Sequence, residues 1–167
     1  PSSDLHQDRL QEEQEHKEHV HHTKINAAAI ADHILGNIHT LHVKLHQYHW
    51  YVKGPHFFSL HEQLEELYNA NEEWFDEISE RLLASGYKPA STTAEFEEYT
   101  MLSEDPADKY LKAEEMVENI VEDFRSTRGL TFRAIRLAQE EGDDALEDTL
   151  IAYKDHLDES IWMLQAF

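Results

Sequence analysis

The sequence predicts an all-α domain arranged as a four-helix bundle, and three observations predict it. Chain-breaking residues are scarce, with 5 glycines and 4 prolines, which favours long helices over many turns. They stand like punctuation: "KGP" at Lys53–Pro55, "SGYKP" at Ser85–Pro89, Pro106 after "SED", and "EGDD" at Glu141–Asp144. The segments between them space their apolar residues at the helical period, and none alternates convincingly with period two.

Each element follows in chain order. Residues 1–23 contain "QDRLQEEQEHKEHVHH", rich in charge and poor in large apolar side chains. They read as an N-terminal extension, helical or flexible, outside a bundle domain over 24–167. In the next segment Ile34, Ile38, Leu41, Leu45, Tyr48 and Val52 step by four and three, an apolar stripe on one face. After "KGP" the pattern repeats with Leu60, Leu64, Leu67, Trp74, Ile78 and Leu82. Thr93–Leu102 can hold a short helix in the long link that follows. Residues 108–140 and 144–165 form the last two long helices by pattern, with Asp143 or Asp144 as N-cap after Gly142. Four long amphipathic helices in a chain of 167 residues make one bundle with one crossing connection.

Composition narrows the chemistry. The chain has no cysteine, so disulfides, thiolate catalysis and cysteine-based zinc or iron–sulfur sites are excluded. The first residues are polar, and no apolar run approaches ~18 residues, so neither signal peptide nor membrane span is expected and a cytoplasmic location is the default. The 14 Lys and Arg against 35 Asp and Glu give a formal charge of −21, a field that attracts cations and repels nucleic acid and anionic membranes. Thirteen histidines in so acidic a chain point toward metal.

The metal-type residues with related spacing are His61, Glu65, Asp76 and Glu80. At about 100° per residue they share an arc of about 100° on one helix face. One imidazole and three carboxylates suit iron, manganese or zinc; the same face also reads as a solvated polar surface opposite the leucines. His61 and Asp76 stand about 22 Å apart along a helix, too far for one ion with bonds near 2 Å. The set therefore splits into His61/Glu65 and Asp76/Glu80, each an i,i+4 pair able to converge. His61 and Glu80, like Glu65 and Asp76, are centred between residues 70 and 71. An antiparallel copy of the helix, as a two-fold dimer supplies, sets His61 against Glu80 and Glu65 against Asp76. His49 can join the first half-site, because the helix before "KGP" packs beside the helix after it. His39, His42 and His46 form a stripe near it that reads as surface or interface packing. The Glu-x-x-His pattern of single-chain di-iron bundles is absent from residue 24 onward, and occurs only as Glu13–His16 and Glu18–His21.

With "HW" at His49–Trp50, "GPHFFSLH" ending at His61, and "DEISERL" carrying Asp76 and Glu80, the chain resembles the Dps family, the small ferritins named as DNA-binding proteins from starved cells. The resemblance runs from about Ile34 to the C-terminus. It implies a ferritin-like four-helix subunit, a hollow homo-dodecamer, and ferroxidase sites at two-fold interfaces. The family's ligand pattern falls on His49 and His61 of one subunit and Asp76 and Glu80 of its partner. The fifth position, usually Asp, is Glu65 here, one methylene longer. Family members line their three-fold pores with acids near the start of the last helix, matching Asp144 and Asp148; an acid common further upstream is Gln139 here. The run "EEGDDALED" equally suits capping and helix-dipole complementation. Trp50, next to His49, is either an electron relay or a packing residue.

Two functions are expected from this. The first is oxidation of ferrous iron by hydrogen peroxide or oxygen, with ferric storage in the cage and protection against oxidative damage. The second is non-specific DNA binding through residues 1–23, which would add a nucleoid location. Phosphate neutralisation needs Lys or Arg, and the first 25 residues hold Arg9, Lys17 and Lys24 against Asp4, Asp8, Glu12, Glu13, Glu15 and Glu18. The five histidines there reverse that balance only when protonated. Multivalency on a dodecamer would add to weak contacts.

Overall fold

The computed structural model describes residues 2–23 and 25–167, and the side chains of 3–15 and of 25 onward. Six α-helices follow in order: α1 (Ser2–Thr23), α2 (Ala27–Tyr51), α3 (Phe57–Ala84), α4 (Thr93–Tyr99), α5 (Ala113–Glu141) and α6 (Asp144–Gln165). No strand occurs among the described residues. None of their helices is long and apolar enough to cross a membrane.

Local chemistry sets the boundaries. The Asn26 side chain accepts from Ala29 N at 2.9 Å and starts α2. "KGP" ends it, with Gly54 at φ 114°, a value that costs glycine nothing. Thr92 caps α4 by accepting from Glu95 N at 3.3 Å, and the Glu95 carboxylate accepts from Ser91 N at 3.2 Å and from the Thr92 hydroxyl at 2.9 Å. The helix expected from residue 108 begins only at Ala113, because Pro106–Tyr110 takes a single 3-10 turn capped by Asp105. Asp143, rather than Asp144, caps α6 by accepting from Leu146 N at 3.1 Å.

The contacts across the bundle give its topology. Glu141 accepts from Ala27 N, Asn37 donates to Thr127, and Lys44 pairs with Asp123. Position rises in α2 as it falls in α5, so these helices are antiparallel. α2 and α3 form one tight hairpin and α5 and α6 the other, while α3 packs on α6. The order is therefore up–down–down–up, and the chain must cross the length of the bundle between α3 and α5. That one long crossover is the ferritin-like connection.

Every residue of the α2 stripe is buried, from Ile34 to Val52. Burial on α2 is wider than a stripe, however, and includes Asp32, Leu35, Gly36 and Thr40. The crossover covers this second face. Asp32 accepts from Ala90 N at 2.9 Å, His33 Nδ1 donates to Tyr99 O at 2.9 Å, and Asn37 accepts from Met101 N at 2.8 Å. A Cβ on Gly36 would meet Thr100 N at 2.6 Å and Phe96 O at 2.9 Å, so the approach of α4 requires glycine there. In α3 Leu60, Leu64, Leu67, Ile78 and Leu82 are buried, Trp74 is half-buried and Leu83 is exposed.

Candidate metal centre

α2 and α3 meet at one end of the bundle, and two imidazoles lock that corner. His49 Nδ1 donates to the carbonyl of His61 at 2.7 Å, and His61 Nδ1 donates to the carbonyl of His49 at 2.7 Å. A carbonyl only accepts, so each Nδ1 carries a proton and each Nε2 keeps its lone pair. The rings stack with centroids 3.7 Å apart and 13° between planes. Phe57 stacks on the outer face of His61 at 5.0 Å. Tautomer and ring orientation are thus fixed by neighbours, the arrangement found behind metal-binding histidines.

Glu65 follows one turn along α3 and is exposed. The Tyr68 hydroxyl donates to its Oε1 at 3.2 Å, and the Tyr68 ring stands edge-on to His49 at 5.3 Å. Partial burial, then the Glu65 carboxylate, push the Tyr68 phenol above its ordinary value, so it remains a neutral donor. Sequence reasoning missed Tyr68. Its only signal is position, three residues beyond Glu65 on the same face.

Asp76 and Glu80 lie further along α3 and are both exposed. A groove of about 1050 Å³ runs past Asp76, walled by Phe75, Ser79 and Leu83, by Pro89 and Ser91, and by Glu13 of α1. Among the described residues no three His, Asp or Glu side chains gather closely enough within one chain to hold an ion. The structure brings His49 and His61 together, holds Glu65 beside them through Tyr68, and leaves Asp76 and Glu80 at the other end of the helix.

The remaining expected residues stand apart. Trp50 is 66% exposed, with its ring 5.4 Å from His46, so it fills no core position in the chain. Asp144 and Asp148 are exposed on the first two turns of α6, and Asp143 alone serves as the cap. Of the stripe on α2, His39 stacks on Phe96 at 5.2 Å and His46 on Tyr68 at 3.8 Å, while His42 is exposed.

Comparison with known proteins agrees with this architecture. The ferritin-like domain family matches residues 28–167. A DNA protection during starvation protein of Listeria innocua is 38% identical over 143 residues, covering 86% of this chain and 92% of that protein. DNA protection during starvation protein 2 of Bacillus anthracis is 41% identical over 127 residues, covering 76% and 86%. Among solved structures, the DpsB protein of Lactococcus lactis MG1363 superposes with a TM-score of 0.90 at 30% identity, covering 96% of this chain and 92% of that one. Dps from Listeria monocytogenes gives 0.83 at 37% identity, covering 87% and 94%. From the matched domain, the length of the aligned relatives and the shared fold, the chain belongs to the Dps family of ferritin-like proteins.

Proposed function

We propose that the chain oxidises ferrous iron at sites shared between two subunits of a homo-dodecameric cage and stores the ferric product inside, protecting the cell from oxidative damage. The observation that carries this reading is the reciprocal hydrogen bonding of His49 and His61, which leaves two fixed Nε2 lone pairs. Glu65 stands one turn along α3 from them, and the matching carboxylates lie about 22 Å away along the same helix. Under a two-fold axis the second half-site comes from the partner subunit's Asp76 and the partner subunit's Glu80. Imidazole and carboxylate together bind a ferrous ion, and carboxylates favour the harder ferric ion, which aids oxidation. Two ferrous ions supply the two electrons that reduce one hydrogen peroxide, with two protons, to two waters; oxygen is the alternative oxidant. The protein's part is to fix the ligands and leave coordination positions open. Trp50, exposed beside the site, serves as an electron relay in this reading. Asp144 and Asp148 line the inlet for cations.

Residues 1–23 act as an extension of the storage domain over 24–167. A second function there, DNA binding, is favoured by one observation: α1 is a helix whose described side chains are exposed apart from Glu13. His6 is among them; the tail histidines at 16, 19, 21 and 22 lie outside the described side chains. The proposed location is the cytoplasm, with the nucleoid where DNA is bound. A DNA gel shift weak at pH 8, stronger near pH 6 and lost on deletion of 1–23 supports this role, since histidines ordinarily charge near pH 6.5. A shift that ignores both changes rejects it.

Native mass with and without added iron tests the cage. Twelve chains of 19.6 kDa give a closed particle of roughly 235 kDa, which should gain iron density inside when ferrous salt and peroxide are supplied. A stable monomer or dimer at neutral pH contradicts the reading.

A further inference from the structure

His42 and His46 lie one turn apart on the same side of α2, a spacing at which two side chains meet. Their ring centroids are 4.6 Å apart with 55° between planes, a separation that lets two ring nitrogens address one ion. His46 Nδ1 donates to the His42 carbonyl at 2.6 Å, so the proton sits on Nδ1 and the lone pair on Nε2. Tyr68 stacks on His46 at 3.8 Å and 21°, and Trp50 lies 5.4 Å from it. That imidazole is therefore held in place, while His42 is exposed and free to turn toward it. Glu72 on α3 is close enough for its charge to act on His42.

We propose that His42 and His46 form a second cation site, a two-imidazole chelate for a divalent ion of the nickel, copper and zinc class, with water completing its shell and Glu72 supplying charge. Paired histidines at i and i+4 on a helix are an established chelating arrangement. Two neutral imidazoles favour these ions over ferrous iron, by the usual order of divalent affinities. Seven residues separate His42 from His49, about 10 Å along the axis, so one ion cannot serve both places. His46 is only three residues from His49, and both rings contact Tyr68, so variants at His42 and at His61 are needed to separate the two places.

Nickel(II) titration of the assembled full chain, read by calorimetry, tests this. Wild type should take up one more nickel per chain than His42→Ala, and His42→Ala should lose at least tenfold in affinity for that ion. His61→Ala should keep it, and His42→Ala should retain the helical content and melting temperature of wild type. Equal nickel uptake by wild type and a folded His42→Ala overturns the proposal. Loss of the same ion in His61→Ala assigns it to the His49/His61 corner and overturns the proposal equally. Should His42→Ala not fold, His42→Gln replaces it, with the same outcomes.

Discussion

The Tyr153 hydroxyl is buried in the bundle without a hydrogen-bond partner among the described residues, and burial pushes its phenol far above the ordinary range. An unsatisfied buried hydroxyl costs about 1–3 kcal/mol. Tyr153→Phe keeps the ring packing against Trp74 at 5.4 Å, so it should be neutral or stabilising by about 1 kcal/mol in urea unfolding; a clear loss would reveal a partner for the hydroxyl. His156, 6.0 Å from the same Trp74, works in the opposite sense. Burial, only partly countered by Glu159, holds its imidazole below the ordinary value. The unfolded chain then binds the proton more readily, so this contribution is intact above about pH 6.5 and is lost as pH falls through the folded value. Stability should therefore drop more steeply below pH 6.5 in wild type than in His156→Gln, and parallel urea midpoints from pH 7.5 to 5 would contradict this. At this scale the sequence reveals residue types better than their states. His49 and His61 were legible as candidate ligands. Their exchanged hydrogen bonds were not, because each acceptor is a backbone carbonyl placed by the α2–α3 turn.

Between elements, the register of α2 against α5 is marked by the buried Lys44–Asp123 ion pair at 2.6 Å. Burial pushes the Asp123 carboxyl up and Lys44 pulls it down, so the pair survives only while both charges are present. Nearby, Asn119 donates to the Tyr48 hydroxyl at 3.2 Å, and that hydroxyl donates to Asp108 at 3.3 Å. Burial first, with Asp108 adding to it, pushes the Tyr48 phenol up to about 12. Asp123→Leu should cost about 3–5 kcal/mol by stranding the lysine, and adding Lys44→Met should restore most of that loss. A single variant as stable as wild type would mean that water reaches Lys44. The four long helices were legible because the breakers bound them and the leucine spacing orients them. The second buried face of α2 was not, since it depends on where the crossover lies, and Gly36 and Asp32 carry no periodic signal of it. A short helix within Thr93–Leu102 was legible in the long link and is α4, but its docking on α2 was not.

For the whole molecule, the proposed half-sites on α3 call for a second chain, an expectation drawn from the spacing of His61, Glu65, Asp76 and Glu80. Spacing does not give the distance between subunits, and Glu65, Asp76 and Glu80 are all exposed in the single chain. The exposed acids at the start of α6 belong to the same scale. Asp144→Asn with Asp148→Asn should slow iron uptake at low ionic strength and leave assembly intact, since it removes attraction for cations and little packing. Equal uptake by variant and wild type at low and high salt would leave those acids without an inlet role. The shared site itself is tested most directly by mixing lesions. His61→Ala and Asp76→Ala homomers should each be nearly inactive in ferrous oxidation. Co-expressed, half the dimers are mixed, and each mixed dimer has one site with both lesions and one with neither, so activity should return to roughly a quarter of wild type. Confirmed co-assembly with no recovered oxidation would contradict the shared site.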